Sequence, residues 1–307
     1  MFHGMIAVHK EAGFTSHDVV AKMRGILGQK QVGHTGTLDP DATGVLPICV
    51  GKGTKLAGML SDQDKEYIAE LRFGIRTTTQ DISGEILESS QIDTLREADV
   101  DRVINQYAKR GGYEQIPPMY SALKVGGKHL YELARLGQTV ERKARQVVLS
   151  KVELLALDLT KNYAKIHVAC SKGTYIRTLI ADIGEDLGCG AAMATLVRTR
   201  VGQICLDECV TLSELEIHKA NQTLAKRVIP IEYFFQDLSA CTVTQSASKL
   251  LENGNALLPT HFLQFEYSPY PSFIPCKRVR VYDTTGMFRA IYQYDADREL
   301  YRPEKMF

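Results

Sequence analysis

The chain has 307 residues, 44% of them hydrophobic and 24% charged, and a formal net charge of +1. That is the composition of a soluble globular protein with room for one large domain and a small one, and its neutral balance leaves any nucleic-acid partner to be argued from local charge. No apolar run approaches the roughly 20 residues of a membrane span, and the opening MFHGMIAVHKEAGF lacks the apolar stretch of a signal peptide. The seven cysteines are odd in number and form no CxxC, so reduced thiols in a cytoplasm are expected. Cys205 and Cys209 could share a helix face, but no His or second Cys pair nearby completes a zinc site.

In chain order, residues 5–8 (MIAV) predict a short buried strand. Ser16 suits a helix N-cap, Val19, Val20, Met23, Ile26 and Leu27 follow at helical spacing, and Gly28 can close the helix. Residues 31–54 carry glycine at 33, 36, 44, 51 and 53 and proline at 40 and 47, so a structured loop is expected, followed by a short strand near 45–50. Tyr67, Ala69, Leu71 and Phe73 alternate with Ile68, Glu70 and Arg72, the pattern of a half-buried strand. Val100, Val103, Ile104 and Tyr107 suit a helix.

Residues 113–145 read as irregular and basic: between Pro117 and Arg145, six Lys and Arg stand against two acids, with Tyr120, His129 and Tyr131 interleaved. A strand over 165–170 passes through Ser171-Lys172-Gly173 into a helix. Ile176, Leu179, Ile180, Ile183 and Leu187 form its apolar stripe, and Gly188 can end it. A boundary is expected near 235–243. Beyond it come a short helix (247–251), a turn at Asn253-Gly254-Asn255, and strands around 278–282 and 288–294. Strands and helices mix without strict alternation, which favours an α+β fold.

Two segments can carry chemistry. In Gly33-His34-Thr35-Gly36-Thr37-Leu38-Asp39-Pro40-Asp41-Ala42-Thr43-Gly44 the glycines allow close approach of a ligand, and Pro40 keeps Asp39 out of the helical region. Asp39 can then be presented from a rigid turn, or can simply close an Asx turn ahead of the proline. Gly51-Lys52-Gly53-Thr54 is no phosphate loop, because Lys52 is followed by Gly53 and position 46 is Leu. With no dinucleotide fingerprint either, no nucleotide cofactor is indicated. The second segment, Lys172 to Leu179, sits where a strand enters a helix, and Arg177 there can pair with a carboxylate and hold it ionised.

The stretch GHTGTLDPDATGVLPICVGKGTKL resembles the signature of the tRNA pseudouridine-55 synthases, the TruB family, and SKGTYIRTLIADIGEDLG resembles that family's second motif. Residues 116–124 (IPPMYSALK) and 130–135 (LYELAR) resemble its RNA-gripping insertion, and Lys65-Glu66-Tyr67 and Leu196-Val197-Arg198-Thr199 match further motifs, so the likeness runs from about residue 5 to 202. The resemblance implies isomerisation of the T-loop uridine of tRNA to pseudouridine, with no cofactor, with Asp39 as the catalytic carboxylate and Arg177 as its partner. It implies Tyr67 stacked on the target base, Tyr175 and Leu196 in the pocket wall, and His34 in the space left by the flipped nucleotide. It assigns phosphate contacts to Lys124, Lys128, Arg142, Lys143 and Arg145 in the 113–145 insertion. Lys10 matches a lysine of the family's first motif, where Glu11 replaces the usual proline, and a structural or RNA-supporting role is expected for it.

The implied architecture is a catalytic domain over 1–238, built on a mixed, largely antiparallel sheet flanked by helices, and a small β-rich PUA-like RNA-binding domain over 239–307. The expected partner is the tRNA T-arm, with no membrane, no obligate protein partner and a monomeric state. The competing readings are a non-catalytic tRNA-folding factor, the catalytic subunit of a guide-RNA particle, and a small-molecule enzyme. The insertion and the basic cluster count against the last two.

Overall fold

The computed structural model describes residues 1–265 and 276–307. Its N-terminal part runs β1 (Gly4–Lys10), α1 (Ser16–Leu27), β2 (Val32–His34), β3 (Thr43–Val50), α2 (Ala57–Ser61), β4 (Lys65–Phe73), β5 (Ile75–Thr77), β6 (Ile86–Ser89) and α3 (Glu97–Arg110). The middle follows with β7 (Gly112–Gln115), β8 (Lys124–Val125), β9 (Lys128–His129), α4 (Leu130–Arg135), β10 (Arg145–Asp158), β11 (Tyr163–Cys170), α5 (Ile176–Asp186), β12 (Ala191–Val201), β13 (Ile204–Cys205) and α6 (Leu212–Ala220). The last stretch holds β14 (Ser239–Val243), α7 (Ser248–Glu252), β15 (Phe262–Phe265), β16 (Arg278–Tyr282), β17 (Phe288–Asp295) and β18 (Leu300–Met306).

One nine-stranded sheet in the order β1-β3-β12-β4-β11-β10-β7, with β2 and β13 added at its side, carries the first two thirds of the chain. Every pairing in it is antiparallel except β3 with β12, so the α+β sheet is mixed and largely antiparallel. Strand β4 shows why one face is a core: Tyr67, Ala69, Leu71 and Phe73 are buried while the residues between them are half-buried or exposed. Helices α3 and α5 lay Val100, Val103, Ile104, Tyr107, Leu179, Ile180 and Ile183 on that face. Strand β1 is covered on both faces and lacks alternation: Ile6 and Val8 meet α1 and α6, whereas Met5 and Ala7 face the C-terminal part.

The parallel β3–β12 join depends on a glycine. Gly44 pairs with Arg198 at φ +107°, and a Cβ there would lie 2.1 Å from the Arg198 carbonyl oxygen. This close approach seats the end of the 35–42 loop against β12.

The C-terminal residues form a second, five-stranded sheet, β15-β14-β16-β17-β18. It docks through Ile291 and Phe307, both buried with Met5, Val45, Cys49 and Phe235. The Phe307 ring lies 5.4 Å from Phe288 and 5.9 Å from Phe235, centroid to centroid.

Several local expectations are corrected. Thr15, not Ser16, caps α1: its Oγ1 accepts from Asp18 N at 3.1 Å and its own N–H donates to Asp18 Oδ2 at 2.9 Å. Ser16 is the first helical residue. The 31–54 loop contains β2, paired with β3. Gly188 does end α5, left-handed at φ +74° directly after the C-cap Leu187. Residues 113–145 are irregular only in part: β7, the β8–β9 hairpin and α4 stand between segments without helix or strand. Cys205 ends β13, so it shares no helix with Cys209.

Strands β10 and β12 and helix α6 escape the sequence pattern. Bulges at Leu149/Lys151 and Leu154/Ala156 break the alternation of β10, and bulges at Met193/Thr195 and Arg198/Arg200 break that of β12. Phe307→Ala should lower the unfolding free energy by about 3 kcal/mol in a denaturant titration, the usual cost of truncating a buried phenylalanine. A loss below about 0.5 kcal/mol would show that the aromatic contact does not hold the two sheets together.

Candidate active site

Residues 35–42, between β2 and β3, are tied down on both sides of Asp39. Ser16 Oγ accepts from Leu38 N at 2.9 Å and donates back to Leu38 O. Gly13 N donates to Pro40 O at 3.0 Å. Lys10 is fully buried, and its Nζ donates to Pro40 O at 2.8 Å, Ala42 O at 2.6 Å and Glu11 O at 3.2 Å. One ammonium thus fills three carbonyl acceptors, two of them in the 35–42 segment. Leu38 and Ala42 point into the core, leaving the Asp39 side chain 39% exposed between them.

Arg177, in the first turn of α5, is brought to Asp39 across the sheet with its side chain only 5% exposed. Its Nε donates to Asp39 Oδ2 at 2.8 Å and its Nη2 to Asp39 Oδ1 at 3.1 Å, a bidentate fork. Two further N–H groups are used: Nη1 donates to Thr79 O at 2.8 Å and Nη2 to Tyr120 O at 2.9 Å. Asp81 Oδ2 stands 3.8 Å from Nε. Asp39, a carboxylate facing solvent, is thus aligned by a buried cation that cannot rotate.

The packing behind the Asp39 loop is apolar. Tyr67, Leu196, Ile176, Leu38 and Ala42 belong to one buried cluster. Burial raises the Tyr67 phenol above its ordinary range, with the nearby Arg198 guanidinium opposing, so the ring is a neutral phenol at physiological pH. Burial likewise raises the Tyr175 phenol, which faces Ser121, Arg145 and Arg177. His34 sits at the end of β2, half-buried, with its Nδ1 accepting from Gly36 N at 3.3 Å. Burial, helped by His17 and Arg198, lowers its basicity, and the His17 ring meets it edge-on at 5.4 Å.

The insertion is partly self-supporting. Lys124, Lys128, Lys143 and Arg145 are exposed, but Arg142 is half-buried and its Nη1 donates to Pro117 O at 3.0 Å. Arg142 Nη1 thus braces the base of the insertion. The His129 and Tyr131 rings stack at 5.2 Å, and Arg135 lies over Tyr131.

Three further site residues had no role assigned from sequence. Arg198 is 1% exposed, and its Nε donates to Val45 O at 2.7 Å and its Nη2 to Gly36 O at 3.2 Å. Lys65 is buried, donating to Gln63 O and Ser61 O. Thr79, through its carbonyl, is the third. The available signal for the first two was a cation at an inward position of an otherwise apolar strand face. Thr79 acts through its backbone and leaves no such trace. Cys205, Asp207 and Glu208 lie together, but both acids are exposed and Glu208 already accepts from Cys205 N.

In solved structures the fold matches that of proteins in H/ACA ribonucleoprotein particles. One is an H/ACA RNP bound to a substrate RNA containing 2′-deoxyuridine (TM-score 0.70, 24% identity, 99% of this chain and 85% of the other). Another is an archaeal box H/ACA sRNP complex (TM-score 0.66, 23% identity, 99% and 86%). The sequence takes this further. Residues 24–176 match the TruB family pseudouridylate synthase N-terminal domain, and residues 177–236 the tRNA pseudouridylate synthase B C-terminal domain. The tRNA pseudouridine synthase B of Lachnoclostridium phytofermentans is 45% identical over 99% of both chains, and that of Bacillus subtilis 41% identical over 100% of this chain and 98% of its own. The chain belongs to the TruB family of pseudouridine synthases.

Burial lowers the Lys10 ammonium to about 8, with Asp41 and Asp39 opposing. Between about 8 and the ordinary 10.5 the unfolded chain binds more protons than the native one, so this lysine makes stability rise with pH across that window. In Lys10→Met the contribution should vanish. Wild type minus variant unfolding free energy should then increase from pH 8 toward 10, and a flat difference would show that Lys10 titrates normally.

Proposed function

We propose that this chain isomerises the T-loop uridine of tRNA to pseudouridine with Asp39 as its catalytic carboxylate. The observation that carries the reading is the bidentate Asp39–Arg177 pair, on a loop whose Leu38 and Ala42 pack in one buried cluster with Tyr67 and Leu196, in a chain 45% identical over its length to a tRNA pseudouridine synthase B.

The reaction breaks the bond from the sugar to the uracil ring nitrogen and forms one to a ring carbon. That carbon's proton is lost and the nitrogen gains one, so atoms and electrons balance without a cofactor. Two covalent courses lead there, attack of the carboxylate on substrate or removal of a proton from the sugar, and both need Asp39 ionised and correctly aimed. The Arg177 fork supplies the aim. Tyr67, as a neutral phenol, offers a flat apolar face to the base and a hydroxyl for proton transfer.

A uridine must leave its stack to reach Asp39. His34, kept neutral by burial, suits the vacated space better than a charged imidazolium would. Tyr175 and Leu196 line the pocket. Lys124, Lys128, Lys143 and Arg145 lie exposed on or beside the insertion, where they can follow phosphates of the T-arm, with Arg142 holding its base. We place the catalytic unit at 1–238 and read the sheet within 239–307 as a PUA-like RNA-binding module. The enzyme works on this reading as a cytoplasmic monomer without an obligate protein partner.

The direct test maps pseudouridine by position in an unmodified tRNA transcript after incubation with wild type or Asp39→Asn. Modification of the single T-loop uridine by wild type alone is expected. Tight binding without product from either protein would sink the enzyme reading in favour of an RNA-folding factor. A second measurement follows affinity against salt. Replacing Lys124, Lys128 and Lys143 by Ala should flatten the slope of log K on log salt by about 2 to 3, and an unchanged slope would remove the insertion from the phosphate contacts.

A further inference from the structure

We infer that Gln115 is a positioning residue that couples the RNA-binding insertion to the catalytic ion pair. The inference rests on the functional reading above and adds to it a residue that touches neither substrate nor Asp39.

Gln115 is the last residue of β7, at the root of the 113–145 insertion, and is 1% exposed. Its side-chain amide pairs with the main chain of Tyr175 as a neighbouring strand would. Tyr175 N donates to Gln115 Oε1 at 2.8 Å, and Gln115 Nε2 donates to Tyr175 O at 3.0 Å. The orientation of that amide is set from behind: Nε2 also donates to Tyr113 Oη at 2.7 Å, and Tyr113 Oη donates to Asp182 Oδ2 at 2.8 Å. Asp182 lies on α5, so the chain of bonds starts and ends on the helix that carries Arg177.

The placement matters because Tyr175 is the N-cap of α5 and its side chain makes no capping bond. The amide of Gln115 is what holds the entry to that helix, and Arg177 follows two residues later. A second bond joins the same partners, Arg177 Nη2 to Tyr120 O at 2.9 Å, and Tyr120 also belongs to the insertion. Two locks therefore run from the insertion into the α5 N-terminus, one through the backbone at Tyr175 and one through the guanidinium itself. Seating RNA on the insertion loads both. Loss of the Gln115 lock frees the α5 entry and loosens the Arg177 fork, while the exposed basic residues of the insertion remain in place. Misplacement of a catalytic group by about 1 Å can cost a hundredfold in rate.

The test is single-turnover pseudouridine formation with saturating enzyme, alongside the tRNA dissociation constant, for wild type, Gln115→Ala and Tyr113→Phe, with Asp39→Asn as the inactive control. For Gln115→Ala the rate should fall at least tenfold while the dissociation constant stays within about threefold. Tyr113→Phe removes only the hydroxyl that orients the amide, and a smaller fall of the same kind is expected. It also keeps the proposal open to refutation should Gln115→Ala melt below the assay temperature. Wild-type rates in both variants, or a loss confined to binding, would overturn the coupling. If wild type itself makes no pseudouridine, the functional reading fails and this inference falls with it, whereas an active wild type with unaffected variants refutes the coupling alone.

Discussion

A buried guanidinium with four of its five N–H groups committed to protein acceptors is the constraint from which the architecture follows. Taking the charge of Arg177 out of water costs several kcal/mol, and only an opposed carboxylate with additional acceptors can offset it. The acceptors come from three separate parts of the chain: Asp39 on the β2–β3 loop, Thr79 after β5, and Tyr120 in the insertion. None of these segments is regular, and none can shift without stranding an N–H of the arginine. The fork thus acts as a keystone for loops that would otherwise have many conformations. Because Asp39 remains partly open to solvent, its carboxylate is available to chemistry as well as to structure.

The same principle operates beneath the loop with a different set of acceptors. Lys10 and Arg198 are almost wholly buried and both donate to main-chain carbonyls: Lys10 to Pro40, Ala42 and Glu11, Arg198 to Val45 and Gly36. A loop rich in glycine and proline has few backbone partners of its own, and cations from β1 and β12 supply the missing donors. These charges also lie under the cleft that the reading assigns to a negative reacting group and an RNA backbone. Rigidity and favourable potential thus come from the same side chains.

How much of this could be read in the sequence varies with the type of signal. Strand β4, α1, α3 and α5 announced themselves because their apolar residues face one core at an unbroken period. β10 and β12 did not, since bulges reset their alternation and β12 places Arg198 where a strand pattern expects an apolar residue. Ser16 was legible as a helix-start residue, yet its hydroxyl braces Leu38 while Thr15 caps the helix, a division of labour that adjacent hydroxyls cannot reveal. Local chemistry marked Asp39 and Arg177 as candidates, but only motif resemblance paired them and gave them roles, because 138 positions separate them and Asp39 could equally have closed an Asx turn. Gln115 and Thr79 were invisible for a simpler reason: one works through an amide on another residue's backbone, the other through its own carbonyl.

If the fork is the keystone, the geometry of the guanidinium matters beyond its charge. Lysine at 177 keeps the positive charge but offers a single ammonium where two parallel N–H groups now meet both oxygens of Asp39. The decisive measurement is therefore single-turnover pseudouridine formation by Arg177→Lys on pre-bound tRNA. The account predicts a rate at least a hundredfold below wild type with tRNA affinity changed by less than about threefold. A rate within about threefold of wild type would contradict it, because charge alone, without the planar fork, would then suffice to hold Asp39 in its working position.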